Sequence, residues 1–159
     1  MPNGRIHALS NITVAISGAT VMLIQGQDAN CVIGIVVGSF AGTFFGPDND
    51  IDSGHIADYF IKRYTGRVVE TAWTMLWLLY RKAFKHRSFL SHFPLISTCI
   101  RILYLSCFYF LIAIPARLVS DFVKIDWLTF LFWAFVGLVL ADTAHYGLDK
   151  LDEMFGGIL

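Results

Sequence analysis

The chain has 159 residues, 56% of them hydrophobic and only 15% charged, with a formal net charge of zero. That length is one domain, and its apolar excess is more than so small a core can hide, so part of it must face lipid. The balanced charge excludes nucleic acid as a partner, because binding phosphates takes a basic field.

The first ten residues are polar and carry Arg5 and His7. Asn11 to Ile24 is mostly apolar and reaches the length of a membrane span if the helix begins near residue 8. A signal peptide would share the positive start. The gap Gln25 to Asn30 lacks a small-x-small cleavage site, however, and a second apolar run follows at once, so a retained span is expected. That run, Cys31 to Gly46, places Gly34, Gly38, Gly42 and Gly46 four apart, on one helix face where another backbone can approach closely. Pro47 ends it. Asp48, Asp50 and Asp52 follow at alternate positions, without the glycine and glutamate of an EF-hand loop. Two readings stand for this Asp-x-Asp: a hard-ligand pair for a cation, or a solvated turn.

Residues 51–67 read as a polar surface segment with His55, Asp58, Lys62, Arg63 and Arg67. Val69, Trp73, Leu76, Trp77, Tyr80 and Phe84 then recur at helical spacing, which predicts one amphipathic helix lying at the bilayer interface on its aromatic face. The stretch His86-Arg87-Ser88-Phe89-Leu90-Ser91-His92 stands at the mouth of the next apolar run, 94–114, which holds one charge, Arg101. The last apolar run starts at Trp127 and leads into Asp142 and His145, three apart and so on one face. From Gly147 a polar tail is expected. Cys31, Cys99 and Cys107 lie in apolar runs without metal-ligand spacing, so thiolate ligation is not expected.

The predicted fold is all-α: one integral membrane domain over 1–159, with about four transmembrane helices (8–25, 31–46, 94–114, 127–146). Both termini and the segment 47–93 then share one side. That side carries Arg5, Lys62, Arg63, Arg67, Arg81, Lys82, Lys85, Arg87 and Lys150 against Arg117 and Lys124 on the other, so it is expected to be cytoplasmic. The same topology sends His7, Asp48, Asp50, His86, His92, Asp142 and His145 to that one mouth, although the charge count did not require it. A mixed His and Asp set suits zinc, manganese or iron(II), and seven groups exceed what one tetrahedral ion takes. Arg87, beside them, suits bidentate phosphate binding.

Residues 1–7, the run Phe45-Gly46-Pro47-Asp48-Asn49-Asp50, and Tyr80-Arg81-Lys82 through His92 resemble a bacterial family of uncharacterised membrane proteins described as metal-binding. That family is similar to the YdjM-type membrane-bound metal-dependent hydrolases, and more remotely to zinc phospholipase C. The resemblance implies His7, Asp48, His86, His92, Asp142 and His145 as ligands of a divalent metal. It departs at Ala8, where the family pattern has an acidic residue, which puts catalysis rather than metal binding in question. The expected function is a metal-dependent hydrolase of a phosphoester or lipid-like substrate at the cytoplasmic face of a bacterial inner or internal membrane. Asp50 would orient water or act as base, and Arg87 would hold phosphate. The alternative is a non-enzymatic membrane subunit, in a homo-oligomer or with a protein partner, whose helix ends are stapled by metal or hydrogen bonds.

Overall fold

The computed structural model describes residues 4–50, 56–86, 88–108 and 125–156. Among these residues the chain is helical, with no strand. Among the described residues, three helices are long and apolar enough to cross a membrane.

Helix α1 (Gly4–Ile24) buries His7, Asn11, Ala15 and Met22, a single face at helical spacing. It starts before the expected residue 8, at Gly4, and buries His7 of its first turn while Arg5 stays exposed. Helix α2 (Ala29–Phe45) begins at Asp28, whose carboxylate accepts the backbone N–H groups of Asn30 and Cys31 at 2.7 and 3.0 Å. The chain then turns through a short 3-10 segment, Pro47–Asp50, all four residues of which are buried. Helices α3 (Ile56–Thr65) and α4 (Arg67–Ala83) follow, joined at Gly66 with φ +84°. One turn of helix, α5 (Phe89–His92), is capped by Ser88, and α6 (Pro94–Ser106) starts on its proline. Helix α7 (Trp127–Met154) is capped by Asp126, and Thr129 hydrogen-bonded to that carboxyl holds it below the usual carboxylate range.

A second boundary differs from the sequence reading, the end of α7. Helix α7 runs eight residues past the expected end at 146, because Asp142, His145, Asp149 and Asp152 recur on one face and all four are buried. Gly147 lies within this helix. The run 94–114 is described only as the 13-residue helix α6, and its continuation to 114 lies outside the described residues, as do Arg117 and Lys124.

Helix α2 is the centre of the bundle and packs on α7 backbone to backbone. A Cβ on Gly38 would stand 1.9 Å from the Ala134 carbonyl oxygen, and one on Gly34 2.6 Å from that of Phe130. From the other side, a Cβ on Gly137 would meet the Ile35 oxygen at 2.4 Å. The glycine ridge is thus a contact surface for α7. Ser39 Oγ donates to Gly137 O at 3.2 Å across this seam, and Asn11 Nδ2 donates to Thr43 Oγ1 at 3.3 Å between α1 and α2.

The aromatic face of α4 points inward, contrary to the expected lipid-facing orientation. Trp73 and Trp77 pack on Phe45, Trp77 stacks on Tyr104, and Trp77 and Tyr80 are fully buried. A second apolar set, Val68, Met75, Leu78 and Leu79, is the exposed one. Helix α4 is apolar on two sides, and the larger rings go where ring partners exist.

Candidate metal centre

The local sequence explains why ligand-type side chains meet at one end. Pro47 stops α2 and folds the next three residues into a tight turn, which tucks Asp48 and Asp50 under the bundle. Asn49 clamps that turn from within, its Nδ2 donating to Phe44 O at 2.7 Å and to Gly46 O at 3.1 Å. The Ser88 cap sets α5 so that His92 faces the same space, and the long α7 delivers His145 and Asp149 one turn apart.

Four buried atoms form a closed ring. His145 Nε2 lies 3.3 Å from Asp48 Oδ1 and 3.5 Å from Asp149 Oδ2, while His92 Nε2 lies 3.8 and 3.9 Å from the same two oxygens. The two His92 separations are too long for hydrogen bonds, and the two His145 ones are at the outer limit. They are close to the edge of a coordination tetrahedron, since donors about 2.0–2.1 Å from a zinc ion stand about 3.3 Å apart. Nε2 of His92 and Nε2 of His145 are buried with no hydrogen-bond partner among the described residues. A buried imidazole nitrogen with no hydrogen bond is costly, and a cation shared with carboxylates removes the cost. The donor set therefore fits a divalent metal.

The ring is part of a larger cluster. Three triads have ligand atoms within 4.8 Å of one another: His7, Asp48 and His145; Asp48, His86 and His92; and His92, His145 and Asp149. His7 stacks on His145 with ring centroids 3.8 Å apart, and its Nε2 is 3.6 Å from Asp149 Oδ1. Around the triads sits a supporting shell. Asp50 Oδ1 is 2.6 Å from His86 Nδ1, and its Oδ2 faces His92 Nδ1 at 3.6 Å. Ser91 Oγ lies 3.0 Å from the same Nδ1 of His92, and such partners fix the tautomer that leaves Nε2 for a metal.

Of the residues singled out in the sequence, the fold brings together His7, Asp48, Asp50, His86, His92 and His145. Arg87 lies outside the described residues, as does Asp52. Asp142 is turned toward α6: the Arg101 guanidinium and the Thr98 hydroxyl both bond to its Oδ2. Burial, partly offset by the nearby Arg101, pushes the Tyr80 phenol up to about 12. Asp149 was missed. Its signal was present, because residues four apart share a helix face with His145, but the expected end of the span at 146 removed it from view.

The chain matches the model of the family described as "Uncharacterized metal-binding protein (DUF2227)" over residues 2–156, and it belongs to that family. No curated protein and no solved structure matches it significantly. The expected metal-binding family is thus found, whereas none of these comparisons supports the likeness to YdjM-type hydrolases or zinc phospholipase C.

Proposed function

We propose that this member of a metal-binding family is a single-domain membrane protein carrying a two- or three-ion centre at its cytoplasmic mouth, where it hydrolyses a phosphoester. The observation that carries the reading is the closed ring of buried His92, His145, Asp48 and Asp149 atoms, in which neither imidazole Nε2 has a hydrogen-bond partner among the described residues. His7 and His86 extend it to neighbouring positions. Zinc fits the nitrogen and oxygen donors, and manganese or iron(II) would accept the same set. Bound there, such an ion supplies an activated water and a contact for a phosphoryl oxygen.

The chain's own residues do the rest. Asp50 aims His86 through Nδ1 and faces His92, so its role is to orient imidazoles more than to take a proton itself. Arg87 binds the phosphate by its planar fork. The outward face of α4, with Met75, Leu78 and Leu79 exposed, meets the bilayer and keeps the mouth at the lipid surface.

A second reading is supported by the spread of the ligands. They come from α1, the turn after α2, the approach to α5, α5 itself and α7, so ions there would staple helix ends even without turnover. Metal analysis of the purified chain and its His92→Ala variant tests the centre. Unchanged metal content in the variant overturns it. Incubating the loaded protein with phospholipids and soluble phosphodiesters then separates the two readings: metal-dependent product release supports the hydrolase, and its absence across the panel leaves the staple.

A further inference from the structure

Arg101 and Asp142 are each 1% exposed, and they face each other across α6 and α7 inside the apolar part of the bundle. Charges at such a depth are retained where they have a function. The pair is built with care on both sides. Arg101 Nη1 donates to Ser97 Oγ at 3.3 Å while Nη2 bonds to Asp142. Thr98 bonds to the same carboxylate oxygen and also to Pro94 O at 2.6 Å, the first residue of α6 and two after His92.

On α7 the geometry is equally direct. At about 100° per residue, Asp149 lies within about 20° of the direction of Asp142 around the helix, and His145 within about 60°. Whatever fixes the rotation of α7 at Asp142 therefore fixes the aim of both donors that α7 gives to the ring.

We propose that Asp142 is the counter-ion of Arg101 and a positioning residue for the metal centre, locking the rotation of α7 against the helix that follows His92. This rests on the metal centre proposed above, and it assigns Asp142 a role other than the ligand role its motif implied. Asp142 Oδ1 is buried with no hydrogen-bond partner among the described residues, so a direct ligand role makes its own prediction. The two roles respond oppositely to neutralising Arg101. A ligand lost stays lost, whereas a counter-ion is no longer needed once its partner charge is gone.

The test is titration of the metal-free, detergent-purified full chain with Co2+, reading affinity and the visible absorption bands that report coordination geometry. D142N and R101M each leave one charge unbalanced and are expected to bind Co2+ at least about tenfold more weakly, with altered bands, as losses of supporting residues do. The double variant R101M/D142N leaves no charge unbalanced and keeps the Thr98 hydroxyl as a hydrogen-bond partner for the side chain at 142, so α7 stays in place and affinity is expected to return to within about threefold of the wild type, with its bands restored. Should either single variant fail to insert, a double variant that folds and binds like wild type still supports the pair. A double variant as weak as D142N overturns the proposal in favour of a ligand, and unchanged affinity in every variant overturns any positioning role. Wild-type protein that takes up no Co2+ fails at the earlier step and overturns the centre itself.

Discussion

Gly38→Ala gives the sharpest test of how the fold holds the centre. In an isolated helix this change is favourable by about 1 kcal/mol, because glycine is the more flexible residue. Here the added methyl would stand 1.9 Å from the Ala134 carbonyl oxygen and 2.6 Å from its carbonyl carbon, both backbone atoms that cannot rotate away. To bring the oxygen to even 3.0 Å the two helices must separate by about 1.1 Å, in an interior packed like an organic crystal. Overpacking of this kind costs about 1–3 kcal/mol, which for a chain of this length lowers the melting temperature by about 2–12 °C. The displacement also reaches the mouth. Asp48 follows α2 and His145 rides on α7, and an opening of about 1 Å takes their 3.3 Å donor separation beyond the edge of a tetrahedral site. The assay is thermal unfolding in detergent by circular dichroism, paired with elemental analysis of bound metal. Gly147→Ala is the control, since that helical glycine has nothing within 4 Å of an added Cβ and should gain up to about 1 kcal/mol. If Gly38→Ala also raises the melting temperature and keeps its metal, α2 and α7 do not touch as described, and the reasoning fails.

Two further outcomes are expected. Asp149→Asn keeps the shape of the side chain and removes one anionic donor from the ring, so bound metal should fall while the helix content by circular dichroism stays constant; full metal occupancy would exclude Asp149 from the centre. Ser91→Ala removes the hydroxyl 3.0 Å from His92 Nδ1 and should weaken metal affinity by about 10–100-fold, read by competition with a chromogenic chelator. Unchanged affinity would mean that Asp50 alone orients the ring.

The class of fold was legible because lipid leaves so few choices: apolar runs of span length must be helices. The glycines of α2 announced a close helix contact through their spacing alone, and Gly34 and Gly38 make it with α7. The ends of elements were less legible. The residues from Gly147 read as a tail because they are polar, yet the helix runs on to Met154 with Asp149 and Asp152 buried in it. At the site, the histidines and the Asp-x-Asp pair stood out as polar groups at the ends of apolar runs. The partner of Asp142 could not be read, because Arg101 lies 41 residues away and only the packing of α6 on α7 brings them together. The orientation of α4 was hidden for a related reason. A helix apolar on two sides gives no sequence rule for which side meets the lipid, and it is Phe45 and Tyr104 that decide it.

The three triads overlap in a cycle, with Asp48 common to the first two, His92 to the last two, and His145 to the first and last. Ions in such an arrangement are not independent tenants. An ion that drew Asp48 toward one triad would alter the neighbouring position before anything entered it, so loading of more than one triad would be linked from site to site. Uptake curves should then depart from the simple hyperbola of one isolated site.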